Sequence, residues 1–88
     1  MNYYENEHGK DLRAFLIKES LEDWAVFCFV NAMKYNIRAG KKPNESLIKD
    51  LNKRDDYMED YIIATGLKSW EAYEELREAT EVFYKYDN

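Results

Sequence analysis

Apolar residues recur along this chain at helical spacing, with no stretch of strict alternation. Leu12, Phe15 and Leu16 share one side of the segment from Asp11 to Glu19, which predicts a short amphipathic helix beginning near Gly9 or Lys10. Ser20-Leu21-Glu22-Asp23 then has the form of a capping box, with Ser20 placed to accept from a first-turn amide and two acids set against the helix dipole. A second helix is predicted from Leu21 to about Ala39. Its first half, Leu21 and Trp24 through Val30, is apolar nearly all round, the pattern of a helix that is central or covered by a partner. Gly40 and Pro43 stop it.

Asn44 or Ser46 can cap a third helix reaching about Thr65, with Leu47, Ile48, Leu51, Met58 and Ile62 on one face and Gly66 as its stop. Ser69 can cap a fourth, Trp70 to about Tyr86, buried through Ala72, Tyr73, Leu76, Ala79, Thr80 and Phe83. The loops between the last three helices are short, so neighbours should pack as antiparallel hairpins. The fold class that follows is all-α: a compact bundle of about four helices in a single domain, 1–88.

At 88 residues the core is modest, because a domain of this size buries only about 60 to 65% of the surface of its unfolded chain. Self-association would help, and a homo-oligomer is expected. Cys28 lies within the apolar run and has no second cysteine to pair with, so a reduced, buried thiol and a cytoplasmic location are expected. The first residues carry neither a basic nor an apolar leader segment, and no stretch approaches the roughly 18 apolar residues that span a bilayer, so no membrane association is expected.

Charge changes this picture. The net charge of −5 argues against general nucleic-acid binding, but the distribution is uneven. Residues 31–42 contain Lys34, Arg38, Lys41 and Lys42 and no acid. On a helix, Asn31, Lys34, Tyr35 and Arg38 fall within one arc of about 100°. Lys34 and Arg38 form an i,i+4 like-charge pair, unfavourable unless something negative lies between them. One supplier of that charge is the next helix, where the hairpin register sets Asp50 against Lys34 or Tyr35 and Glu45 against Lys41. The other is a ligand: Arg38, Lys41 and Lys42 gripping phosphate, with Tyr35 or Trp24 as a stacking face. Asp55 stands out as a carboxylate in the middle of the predicted apolar face of helix three. It needs a partner there, with Asn31 nearest by register and Arg38 or Lys34 of another subunit as alternatives; it is a satisfied structural acid or, less readily, a general base.

Other chemistries lack parts. A phosphate loop needs glycines ahead of a helix and a lysine at its amino end, whereas Gly40-Lys41 follows a helix. His8, the sole histidine, sits near the terminus as a surface residue and leaves triads and ordinary zinc sites incomplete. No metal or other cofactor is expected, apart from magnesium in one alternative: Glu71, Glu74, Glu75 and Glu78 could hold it with a pyrophosphate, although such runs are more often solvated faces.

Phe27 to Lys42, FCFVNAMKYNIRAGKK, followed by Ile48-Lys49-Asp50-Leu51 and Tyr57, resembles a family of small phage and prophage helical domains of unknown function. The shared core is Asn-x-x-Lys-Tyr-x-x-Arg-Ala-Gly-Lys-Lys. The same pattern is similar to the C-terminal part of the nucleotide kinase of coliphage T-seven relatives, which also has an aspartate at the place of Asp55. The resemblance covers residues from about 21 to 65, leaving the helix at 69–86 as an addition. It implies a phage origin and binding or phosphorylation of deoxynucleoside monophosphates without a phosphate loop. Residue by residue, it points to Asn31, Lys34, Tyr35, Arg38, Gly40, Lys41, Asp50, Lys53 and Tyr57. The family's early His-Tyr is Tyr3-Tyr4 here, Val30 replaces a small residue, and Arg54 stands where Ala is usual.

The expected function is therefore a nucleotide-binding domain, with Asn31, Lys34, Tyr35, Arg38, Lys41 and Lys42 at the phosphate, Asp50, Lys53 and Tyr57 in support, and Asp55 as the candidate catalytic group. Two alternatives are a host-interaction protein that inhibits a bacterial enzyme through acidic, tyrosine-rich helices three and four, and a metal-dependent nucleotide pyrophosphohydrolase.

Overall fold

A computed structural model describes residues 5–44 and 46–87. Tyr3, Tyr4 and Glu45 lie outside them. Four helices follow in order: α1 (Leu12–Glu19), α2 (Leu21–Arg38), α3 (Leu47–Thr65) and α4 (Ser69–Lys85). The described residues contain no strand beyond one isolated bridge between Glu5 and Asp11. None of these helices is long and apolar enough to cross a membrane.

The helix ends follow from local chemistry, with two departures from expectation. Asp11 and Ser46 cap α1 and α3 by accepting from the Ala14 and Lys49 amides. Gly66, at φ 73°, ends α3 in the left-handed conformation that costs only glycine nothing. Ser20, expected to cap α2, instead donates its hydroxyl to Asp23 at 2.6 Å and makes no side-chain cap bond. Nor does Ser69 cap α4. It is the first helical residue, and Glu71 satisfies the start of that helix by accepting the Lys68 backbone N–H at 3.2 Å.

The core forms where α2, α3 and α4 meet, around Ala32, Met58, Ala72 and Leu76. Small alanines on α2 and α4 let the backbones approach Met58, which is fully buried. Burying each large side chain of this cluster contributes about 1.5 to 3 kcal/mol. Phe29 packs on Tyr61 with ring centroids 5.0 Å apart, sealing the cluster on one side. Cys28 is wholly buried, and burial, with Asp60 nearby, pushes its thiol up to about 11. It is a core atom rather than a nucleophile.

The all-round apolar start of α2 is only partly covered. Trp24 and Cys28 are buried, while Val26, Phe27 and Val30 are exposed. α1 has no buried residue. An ion pair from Arg13 to Asp60 at 3.1 Å and the Arg13 guanidinium, 5.4 Å from the Trp24 ring centre, tie it to the bundle.

Candidate functional site

Residues of the α2–α3 hairpin build the site, and its register decides which charges are neutralised. Asn36 meets Arg54 and Phe29 meets Tyr61, and this register brings Asp50 to Arg38 rather than to Lys34 or Tyr35. The Arg38 guanidinium donates to Asp50 Oδ1 through Nη2 at 2.8 Å and Nε at 3.3 Å. The shift reflects the loop 39–46, which is long enough to let α3 start one turn further from the end of α2. Asp50 is completely buried, and among the described residues its Oδ2 has no hydrogen-bond partner. A buried carboxylate holds only with a cation against it, so Arg38 takes the structural duty that the expected register gave to Lys34.

Tyr35 lies at the centre of the remaining charge. Lys34 Nζ, the Arg38 guanidinium carbon and Lys53 Nζ stand 4.7, 4.8 and 5.7 Å from its ring centre. Its ring stacks on Tyr57, with centroids 6.0 Å apart and planes 13° apart. A tyrosine face attracts cations through its quadrupole by about 0.5 to 1 kcal/mol each at exposed sites. That attraction explains how three positive groups from two helices gather at one point. Among the described residues no carboxylate lies within 4.0 Å of Lys34 or Lys53. Tyr35, expected to offer a stacking face to a ligand, is already occupied by Tyr57 and the cations. Lys53, expected only in support, belongs to the centre.

The rings continue away from this cluster. Phe27 meets Tyr57 edge-on at 6.0 Å and Trp24 stacks on Phe27 at 5.5 Å. Trp24, Phe27 and Tyr57, with Leu12, Arg13, Leu16 and Asp60, line a groove of about 600 Å³ between α1 and the α2–α3 hairpin. Its surface is mostly apolar, with Asp11, Arg13 and Asp60 as its charged members. Tyr57 is the wall shared by groove and cation cluster. Sequence reasoning missed the groove because α1 touches the hairpin mainly through Arg13, Leu12 and Leu16, and nothing local in the sequence fixes where a short helix docks.

The other expected site residues lie elsewhere. Asn31 donates to the Phe27 carbonyl of its own helix at 2.8 Å. Lys41 donates to the Tyr84 hydroxyl at 2.6 Å and packs on that ring, at the α2–α4 edge. Lys42 is exposed in the following turn. Asp55, expected inside the apolar face of α3, is exposed and faces α4. Its Oδ1 accepts from Arg54 at 3.0 Å and from the Tyr73 hydroxyl at 2.7 Å. Burial alone would raise its carboxyl, but these two donors hold it below the usual range; burial and the Asp55 contact push the Tyr73 phenol up to about 12. The face was misplaced because Asp50, Arg54, Tyr57 and Tyr61 point inward while Leu47 and Ile48 are exposed.

The acidic run on α4 is divided among separate duties. Glu74, Glu78 and Glu81 pair with Arg77, Glu75 accepts the Tyr61 hydroxyl, and Glu71 caps the helix. Among the described residues no three potential ligands converge on a common point as a metal site would require.

The chain is thus a small all-α domain in which an aromatic groove and a lysine–arginine cluster share Tyr57. The chain belongs to the family described as protein of unknown function (DUF3310), whose sequence model matches residues 4–59. It is similar to the SaV protein of Lactococcus phage SK1, 40% identical over 57 residues, which are 64% of this chain and 44% of that protein. It is similar also to the SaV protein of Lactococcus phage p2, 41% identical over 63 residues, 65% of this chain and 49% of that one. The aligned segment is thus less than half the length of these relatives. No solved structure matches it. The family match contains α1, α2 and the whole aromatic chain from Trp24 to Tyr57, and ends before α4.

Proposed function

We propose that this chain is a nucleotide-binding module that acts in a phage-infected cell, in the host cytoplasm. The phosphate rests on Lys34 and Lys53, with Arg38 beside them, and the base enters the groove against Phe27, Tyr57 and the edge of Trp24. One observation carries the reading: two lysines without a carboxylate partner among the described residues are held on Tyr35, whose stacking neighbour Tyr57 is also a wall of the apolar groove. A nucleotide has this same pairing of a flat ring and an anion a short distance apart. Charge-assisted hydrogen bonds to phosphate contribute about 1.5 to 3 kcal/mol each when partly desolvated.

The reading extends to binding and no further. Asp55, the acid considered as a base, faces Tyr73 on α4 rather than the cation cluster, so it is not placed to act there in a kinase-like step. Two-dimensional NMR of the labelled chain with deoxynucleoside monophosphates and, separately, inorganic phosphate tests the proposal. The expected shifts for nucleotide are at Phe27, Lys34, Lys53 and the Trp24 indole, with phosphate moving only the lysine end. Shifts confined to other surfaces, or none at millimolar nucleotide, overturn it.

The other two readings find less support in the geometry. Tyr73 and Tyr84, two of the tyrosines on the helices that would meet a host enzyme, are engaged by Asp55 and Lys41. The glutamates proposed to hold magnesium are already used by Arg77, Tyr61 and the Lys68 amide.

A further inference from the structure

A second surface is left over once the nucleotide groove is accounted for. On α2, Val26, Val30, Met33 and Ile37 follow one another at spacings of four, three and four, the seam of a helix that packs lengthwise on another helix. They lie on the side of α2 away from Trp24 and Cys28. Val26 and Val30 are 60% and 54% exposed. Met33 continues the seam into an almost wholly apolar groove between α2 and α4, lined by Ala79, Val82, Phe83 and Tyr86, where Val82 is 70% exposed. The seam from Val26 to Ile37 contains no charged residue at its four positions.

We propose that this α2–α4 face docks a second copy of the same chain, across a two-fold axis that sets the two α2 helices antiparallel. Charge selects the occupant and its direction. The amino end of the seam is flanked by Glu22 and Asp23, and the carboxyl end by Lys42 and by Lys41, whose ammonium also donates to the Tyr84 hydroxyl. In an antiparallel pair centred between Val30 and Met33, Val26 meets Ile37 of the other copy and Glu22 meets its Lys41. A parallel pair would set acid on acid and base on base. The area agrees. The chain exposes 6847 Å², whereas a compact monomer of its mass, 10.6 kDa, exposes about 5,500 Å². The difference, to which the uncovered α1 also contributes, is larger than the roughly 800 Å² that each partner buries in a standard interface. The nucleotide groove, on the other side of α2, stays open in this dimer.

Sedimentation equilibrium on the full chain, with far-UV circular dichroism beside it, tests the pairing. The wild type is expected to show the mass of two chains, and Val30→Asp and Val82→Glu, both at exposed positions, the mass of one with helix content unchanged. Glu22→Lys alone should weaken the dimer at least fivefold, and Glu22→Lys with Lys41→Glu should restore it. A single-chain mass for the wild type up to about 100 µM, too weak for an interface of this size, overturns the proposal. So does a dimer that survives Val30→Asp or that the paired reversal fails to rescue.

Discussion

The Tyr35 cluster and the Arg77 cluster both crowd like charges onto a helix, and they resolve the strain in opposite ways. On α4, Arg77 lies among Glu74, Glu78 and Glu81 at helical spacings of three, one and four, so three acids share one cation on the same exposed surface. On α2, Lys34 and Arg38 have no acid of their own helix within reach. Arg38 turns inward to a buried aspartate, while Lys34 rests on an aromatic ring together with Lys53 from α3. Charge that is balanced within one turn is surface. Charge that is gathered from two helices over a ring, beside an apolar groove, is the feature on which the proposed nucleotide site rests.

Breaking Asp50 should separate the two regions most sharply. Asp50→Ala leaves the partly buried Arg38 without its Oδ1 acceptor, and urea denaturation should register a loss of about 3 kcal/mol. A loss below about 1 kcal/mol would mean that Arg38 swings to solvent and that the pair does not organise the hairpin.

The α3–α4 seam gives the next effect. The Asp55 carboxyl is held below its ordinary value in the folded chain, so the stability it contributes is present above the unfolded carboxylate range and is lost as pH falls through the lower folded value. The Tyr73 phenol is raised, so its contribution is present below its ordinary value and is lost as pH climbs towards about 12. Tyr73→Phe should flatten both limbs in thermal melts taken across pH. Unchanged limbs would place the acid sensitivity on another carboxylate.

The smallest effect is expected on α4. Arg77→Ala removes the cation from an exposed array and should change stability by no more than about 0.5 kcal/mol, with no effect on nucleotide binding. A larger loss in denaturation would show that the array is more than a solvated face.

Much of the fold could be read from the sequence, because the signals that set it are local. Ser46 and Gly66 bound α3 as their chemistry requires, and the apolar spacing on α4 locates Ala72, Leu76 and Thr80 in the interior. The lysines and arginine at the site were legible as an unbalanced stretch, and Lys53 and Tyr57 through the family resemblance. What the sequence hid depends on tertiary register. Asp50 is hydrophilic by type yet fully buried, Ile48 is apolar yet 68% exposed, and a wheel anchored on aliphatic residues therefore turned α3 too far and put Asp55 inside. Ser20 and Ser69 looked like caps, but Ser20 donates to Asp23, and α4 starts one residue early, with Glu71 reaching back to the Lys68 amide.

On the proposed function, Lys34 and Lys53 are held in place for an external anion. Isothermal titration of a deoxynucleoside monophosphate into the wild type and into Lys34→Ala/Lys53→Ala tests it most directly. The account predicts saturable binding by the wild type, a loss of about tenfold or more in the double variant, and matching melting curves for the two proteins without ligand. Equal affinity in the two, or no heat from either, would contradict it.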